Sequence, residues 1–322
     1  MIAKFEDNKQ LIESLNIPEH CDFKDEDKSL GSGGYGEVIL ARRPQNKELV
    51  VLKCFKSQFE TCLRPSVVRE ICALSQFNHP NVVKLLDICC EECILHGSMF
   101  PKFTIALEYC CCDLTDLLKN QVQYKAPHYK SIIQQILLGL QHIHSSGFIH
   151  RDLKLANVLI GRDGSIKVAD FGLSRLKNQL GLYTPRIGTK RYRPPEVVLL
   201  LGRYDETFDI FSAGGNSDRT LAKSMVEMLG DIDDKSLPGS QRSRAYMRLF
   251  DGVRIASPIF KARMQMMGAS SETINFATRL LAINPSNRPK ASEALDDPYF
   301  VNDPQPDGNL LPLLPSRLRC RD

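Results

Sequence analysis

The chain of 322 residues has no tryptophan, no long apolar run and almost no excess of charge. Stretches such as Val197 to Leu201 stop far short of the roughly 18 apolar residues that a membrane-spanning helix needs, and Met1 to Ile17 holds no signal-like apolar block. No membrane partner is expected. The balance of 42 Lys and Arg against 38 Asp and Glu, +4 overall, is too small and too evenly spread to act as a footprint for nucleic acid. Direct nucleic-acid binding is not expected either. The cysteines number 11, an odd count, and only Cys90 and Cys93 have the spacing of a zinc-ligand pair. The reading is reduced thiols in the nucleus or cytoplasm, with neither a disulfide framework nor a zinc site.

What is present suggests about two packed units. Residues 1–24 are charged and weakly periodic, and residues 301–322 are broken by Pro304, Pro306, Pro312 and Pro315, so both ends read as tails. Between them, Lys28 to Phe55 alternates glycine with β-branched residues, as strands around a turn do. From Pro127 to Gly147, the residues Ile132, Ile133, Ile136, Leu137, Leu140 and Ile143 recur at helical spacing, with Gly147 as the stop. A small β-rich lobe, 25–110, and a larger helical lobe, 111–300, follow from these patterns.

Gly31-Ser32-Gly33-Gly34-Tyr35-Gly36-Glu37-Val38 has the form G-x-G-x-x-G-x-V, in which missing Cβ atoms let the backbone approach phosphate oxygens. Alone it fits a ligand-free glycine turn equally well. A Rossmann loop would need a helix immediately after it, whereas Leu49 to Lys53 reads as a strand. Lys53 at that strand's end finds a candidate ion-pair partner in Glu70, 17 residues on, within the helix-like Pro65-Ser66-Val67-Val68-Arg69-Glu70-Ile71. The most specific segment is His150-Arg151-Asp152-Leu153-Lys154-Leu155-Ala156-Asn157, followed after 13 residues by Asp170-Phe171-Gly172. Phosphoryl transfer needs a carboxylate to take the hydroxyl proton, oxygen ligands for Mg²⁺ and cations against the phosphate charge. Asp152, then Asn157 with Asp170, then Lys53 with Lys154 supply these in turn.

In this order the four motifs resemble the eukaryotic protein kinases over about residues 25 to 300. Pro65 to Glu70, Asp170 to Arg175 and Tyr192-Arg193-Pro194-Pro195-Glu196 are similar to the cyclin-dependent kinases. Leu107-Glu108-Tyr109-Cys110-Cys111-Cys112-Asp113-Leu114 and the Pro-Pro-Glu spelling look most like the branch that phosphorylates the RNA polymerase II C-terminal repeats. The resemblance implies a bilobal α+β fold, ATP and Mg²⁺ as cofactors, a cyclin-type regulatory subunit, serine/threonine substrates and a nuclear, also cytoplasmic, location. It places ATP against Gly31, Ser32, Gly33, Gly34, Tyr35, Gly36, Val38, Val51, Lys53, Glu108, Cys110, Asp113 and Leu159. Adenine would lie between Val38 and Val51 above and Leu159 below, with Leu107 as gatekeeper. Asp152, Lys154, Lys53 and Glu70 would be catalytic, and Asn157 and Asp170 would hold the metal. A stack of Leu74, Leu85, Phe171 and His150, anchored by Asp209, would link the lobes.

The same likeness makes Thr184 an activation-loop phosphosite received by Arg69, Arg151 and Arg175, since three guanidiniums can share a dianionic phosphate. Tyr35 matches an inhibitory tyrosine, with Gly34 where a threonine often stands. The absence of tryptophan falls on two family positions, held here by Arg191 and Phe211. In the family, a backbone acceptor turned away beside the residue after the phosphorylated Ser or Thr favours proline there. The corresponding stretch is Pro185-Arg186-Ile187-Gly188-Thr189-Lys190-Arg191, and proline direction is expected. After Gly214 the central helix is expected to be short, because roughly 14 residues of helix and connector, about 20 Å of helix at 1.5 Å per residue, are missing from the family pattern. Losing even five buried side chains at about 1.5–3 kcal/mol each would equal a typical domain's whole stability. The alternative function is therefore a catalytically impaired, kinase-like, cyclin-binding module.

Overall fold

The computed structural model describes residues 23–33, 36–55, 65–95, 98–177, 187–202, 204–214, 221–250 and 257–319. Strands β1 (Lys24–Gly33), β2 (Gly36–Arg42), β3 (Leu49–Phe55), β4 (Leu85–Leu95) and β5 (Ser98–Glu108) form one antiparallel sheet in the order β1-β2-β3-β5-β4. Period-two alternation sorts its faces. Val50 and Leu52 of β3 are buried with Ala41 and Ala106, whereas Val51 and Lys53 between them stay half-buried. The helix Pro65–Leu74 buries Val67, Ile71 and Leu74 in the core cluster that also takes Ile88 and Ile105 from the sheet.

Below the sheet, β6 (Cys110–Asp113) leads into the helix Leu114–Lys119, whose start is capped by Asp113 accepting from the Asp116 amide at 2.8 Å. The helix Ala126–Ser145 carries Pro127 in its first turn and buries Ile136, Leu137, Leu140 and Ile143. Gly147, at φ 84°, ends it as the sequence predicts. Strands β7 (Phe148–Ile149), β8 (Val158–Gly161), β9 (Ile166–Val168) and β10 (Arg175–Leu176) then frame two loops, 150–157 and 169–174, that hold the charged motifs. The upper sheet is tied to this region by Val83 N–H to the Val168 carbonyl (2.9 Å), Asn81 Nδ2 to the Ile166 carbonyl (2.8 Å) and Lys167 Nζ to the Pro80 carbonyl (2.9 Å).

The central helix is described over Thr207–Gly214, and the segment that directly follows Gly214, where the shortening is expected, lies outside the described residues. Phe211, Met225, Val226 and Leu281 join one buried cluster, and Leu281 lies so close to Gly214 that a Cβ there would meet its side chain at 2.6 Å. The helix Leu221–Leu229 supplies Met225 and Val226 to that cluster. Residues 302–319, read as part of a tail, also dock. Leu310 and Leu314 enter the main core, because proline stops helices without preventing leucine burial. Against the expectation of reduced thiols, Cys89 and Cys111 each take part in a disulfide, while among the described residues Cys54, Cys72, Cys90, Cys110 and Cys112 form no disulfide. None of the described helices is long and apolar enough to cross a membrane.

Candidate active site

On the sheet side of the cleft, Lys53 reaches Glu70 with Nζ–O distances of 2.6 and 2.8 Å, closing the predicted pair. Asp170 lies at 3.4 Å from the same ammonium, with its side chain 45% exposed to the cleft. Burial draws Lys53 down, but Glu70 and Asp170 outweigh it and hold the ammonium above its ordinary value. Burial pushes Glu70 up, Lys53 pulls it back and the facing Asp170 adds to the rise. With two contacts under 3 Å, the pair stands as ammonium and carboxylate. Burial raises Asp170 too, yet Lys53, His150 and Lys154 together hold it below the usual carboxylate range.

Across the cleft, one buried carboxylate organises the catalytic loop. Asp209 accepts the His150 and Arg151 amides, each at 2.8 Å, and His144 Nε2 at 2.8 Å. These bonds hold Arg151 at φ 67°, a strained position for a side chain with a Cβ. Two residues beyond His150, the Asp152 amide donates to His150 Nδ1 at 3.2 Å, while Nε2 meets the Ala169 carbonyl at 3.0 Å. Phe171 packs on the His150 ring edge-on, with centroids 5.0 Å apart, and Phe77 continues the stack.

The Asp152 carboxylate is held on both oxygens. Oδ1 accepts the Thr189 amide (2.8 Å) and hydroxyl (2.7 Å); Oδ2 accepts Lys154 Nζ (2.7 Å) and, at 3.3 Å, Asn157 Nδ2. The sequence reading missed Thr189, whose only signal was a hydroxyl after a glycine. Asn157 also donates to the Asp152 carbonyl at 2.9 Å, which leaves its Oδ1 as the atom able to face a cation with Asp170. Two hard oxygen donors, an exposed Asp170 and a buried Asn157, suit Mg²⁺, which keeps much of its water and takes one or two protein ligands. The residues fit the ion.

The residues that the resemblance assigns to the nucleotide lie on the strands and segments around these groups. Val38 is half-buried, Val51 and Leu159 are half-buried between fully buried neighbours, and Gly31 offers open space where a Cβ would stand. Gly36 is required by packing, since a Cβ there would strike the Cys54 carbonyl at 2.0 Å. Glu108 turns its carboxylate away to the Lys84 amide (2.7 Å) and Lys167 (3.1 Å). Asp113 has one oxygen engaged in capping, as above. Burial pushes the Cys110 and Cys112 thiols up to about 12, so neither is nucleophilic at neutral pH. Ser32 and Gly33 are placed in β1 by backbone alone, and Gly34, Tyr35 and Thr184 lie outside the described residues. Arg69 donates to the Gly172 carbonyl at 3.2 Å, and Arg151 to the carbonyls of Leu173 (2.7 Å) and Ser174 (3.3 Å) and to the Tyr204 hydroxyl (2.8 Å). Burial lowers the Arg151 guanidinium; Tyr204 opposes this, while the nearby Arg175 charge reinforces it.

Residues 24–300 match the protein kinase domain model. The chain belongs to the protein kinase family. Cyclin-dependent kinase 9 of Homo sapiens is 30% identical over 298 residues, covering 86% of this chain and 80% of that one. Among solved structures, the yeast RNA Pol II CTD kinase CTDK-1 complex contains a chain of TM-score 0.75 at 25% identity, covering 90% of this chain and 96% of that chain. The CAK complex of Chaetomium thermophilum bound to ATP-gamma-S gives 0.77 at 26% identity, with 89% and 93% covered. The expected bilobal fold and cyclin-dependent kinase kinship are both shown.

Two further features complete the kinase site. Gly188 sits at φ 78°, where a Cβ would meet the Arg151 carbonyl at 2.5 Å, so only glycine fits without displacement. Its carbonyl accepts Arg193 Nε at 2.9 Å. Beneath, Arg288 and Glu196 form a bidentate pair, both distances 2.7 Å.

Asp209 gives a testable pH dependence. Burial raises its carboxyl, but the His144 hydrogen bond and charge, then His150 and the Arg151 amide, win and depress it. A depressed carboxyl stabilises the fold above the unfolded value near 3.9, and that share is lost as pH falls through the lower folded value. Asp209→Asn should cost about 1–3 kcal/mol at pH 7. In urea titrations, its gap from the wild type should narrow steadily below about pH 4; a constant gap would show the charge to be irrelevant.

Proposed function

We propose that the chain is a Mg-ATP-dependent serine/threonine kinase, activated by a cyclin-type subunit, directed to Ser-Pro or Thr-Pro sites and acting in the nucleus on the transcription machinery. The observation that carries this reading is Asp152, held on both carboxylate oxygens within the cleft that also presents Lys53, Glu70 and Asp170. Asp152 would accept the substrate hydroxyl's proton, with Thr189 fixing the carboxylate's orientation and Lys154 adding positive charge beside it. Lys53, positioned by Glu70, would bind phosphate oxygens. Asp170 and Asn157 would hold Mg²⁺, which neutralises phosphate charge when bound.

Likeness to a CTD kinase supports the RNA polymerase II C-terminal repeats as substrate, and the two related assemblies support a regulatory partner against the helix Pro65–Leu74. Thr184 would be the activating phosphosite, with Arg69 and Arg151 already gathered on the Gly172–Ser174 backbone.

Proline direction is supported by the Arg193–Gly188 bond. With that carbonyl turned to a guanidinium, an incoming amide N–H gains no acceptor there, so a proline without one loses nothing. Ser-Pro peptides should exceed matched Ser-Ala peptides by roughly tenfold in kcat/KM, one unmet hydrogen bond's worth. Arg193→Ala should shrink that ratio. Equal turnover of the two peptides on an array would overturn the proline assignment and leave the kinase assignment standing.

A further inference from the structure

The charge balance of +4, read above as evenly spread, is concentrated in one stretch. From Lys235 to Ser271 the chain has seven Lys and Arg against a single acid, Asp251, an excess of +6; the remainder, 42 − 7 = 35 cations against 38 − 1 = 37 anions, stands at −2. Arg242, Arg244, Arg248, Lys261 and Arg263 are exposed, and their side chains make no ion pair or hydrogen bond among the described residues. The same stretch leaves Met247, Met266 and Met267 exposed, and arginine with methionine is a composition that protein interfaces favour.

Within this stretch lies a cavity of about 310 Å³, with an apolar lining that includes Leu229, Phe260, Leu281 and Ile283. Lys235 and Lys261, both exposed and so on its solvent side, line it with Asn284 and Asn287, and no carboxylate does. Lys235 lies near Asp233, whose carboxylate already accepts the Lys235 and Ser236 amides, each at 2.9 Å. Asn284 spends its Oδ1 on the Ser286 amide at 3.0 Å, which leaves its Nδ2 as a donor. The other polar groups of the wall are occupied: Thr278 Oγ1 donates to the Ile274 carbonyl (2.6 Å), Ser236 Oγ to the Asp231 carbonyl (2.9 Å), and the carbonyls of Ala282 and Ile283 accept from Arg288. Water, which needs about two to four polar partners, finds few inside. The space is about twice that of a cavity of about 150 Å³ that takes up benzene, so an aromatic side chain fits.

We propose that this cavity and the cations around it form a docking site for an acidic protein segment, which inserts one apolar side chain into the cavity and lays Asp or Glu residues on Lys235 and Lys261. Cations beyond the cavity, on the helix Arg244–Leu249, match a chain of several anions better than a small amphiphile with one. A nucleic acid backbone would answer the charge and leave the apolar lining without a partner. A bilayer offers no side chain to a concave site. None of the lining residues belongs to the catalytic cleft, so the proposal goes beyond the kinase reading and stands or falls without it.

The test is fluorescence anisotropy of the full chain with a labelled peptide of Asp and Glu around one central Phe. Its controls are the same peptide with Ser for Phe, the same peptide with Asn and Gln for every acid, and competition by a single-stranded oligonucleotide or by phosphatidylserine vesicles. The acidic Phe peptide should bind saturably and more weakly at high salt. Loss of the Phe should cost at least about tenfold in affinity, the worth of one buried aromatic side chain. Lys235→Ala with Lys261→Ala should weaken both acidic peptides roughly three- to tenfold and leave the uncharged one unchanged. Ala282→Leu, which fills the cavity without altering charge, should remove the advantage of Phe over Ser, with a thermal melt to show that the variant folds. Should it not fold, the Phe and Ser peptides on the wild type decide the cavity's part alone. Equal affinity for those two would overturn the proposal, as would failure of every peptide to bind. Competition by oligonucleotide or vesicles as strong as that of unlabelled acidic Phe peptide would also overturn it, by assigning the surface to a polyanion or a membrane. Turnover of a short Ser-Pro peptide without acids should be the same in all variants, so a chain that phosphorylates nothing speaks against the kinase reading and not against the docking site.

Discussion

Asp152→Asn should lower phosphate transfer by about 10²–10⁴-fold, the range a positioned general base supplies, while the chain still folds and binds ATP. Asparagine keeps the side chain's volume and one acceptor for Thr189, so the loop's framework of Asp209, His150 and Arg151 has no reason to move. It loses the proton acceptor. It also turns an amide toward Lys154 and Asn157, both donors, so some loosening at the site should accompany the loss. Labelled-phosphate transfer to a Ser-Pro peptide, run beside a thermal melt with and without Mg-ATP, checks both halves. Unchanged transfer would remove Asp152 from the reaction. Inactivity of wild type and variant alike, with ATP still stabilising both, would leave the alternative of a kinase-like binding module.

Removing Arg288 should have the largest effect on stability. Both members of its pair with Glu196 are almost fully buried, at 0% and 2% exposure, and the same guanidinium also serves the carbonyls of Ala282 (2.7 Å) and Ile283 (3.0 Å). Arg288→Ala strands the Glu196 carboxylate and those acceptors out of water, which costs about 3–5 kcal/mol for a broken buried pair. Total stability for such domains is about 5–15 kcal/mol, so the variant should unfold at far lower urea, read by circular dichroism. Arg288→Lys should recover only part, because an ammonium cannot span both Glu196 oxygens in the fork geometry. A midpoint equal to wild type would show that water or a neighbouring cation reaches Glu196.

The charged motifs were legible because phosphoryl transfer requires particular groups, and short local runs such as His150 to Asn157 carry several of them together. Lys53 and Glu70 could be paired across 17 residues because a strand and a helix have few ways to meet. What stayed hidden were contacts between loops. Thr189 meets Asp152 across 37 residues through an amide and a hydroxyl, groups that nearly every sequence offers. Arg193 on the Gly188 carbonyl depends on a positive φ that glycine permits but does not announce. That Phe211, Met225, Val226 and Leu281 share one buried cluster was not legible, since apolar residues at helical spacing do not say which neighbour they will cover. The docking of Leu310 and Leu314 escaped for the same reason.

Phe211 lies fully buried with the Arg288 guanidinium 4.8 Å from its ring centre. In a chain without tryptophan, this makes the position an optical window. Phe211→Trp would install the sole indole of the molecule under a cation in this buried core. Light absorbed only by indole would then report on that cluster alone, against a dark background from the nine tyrosines.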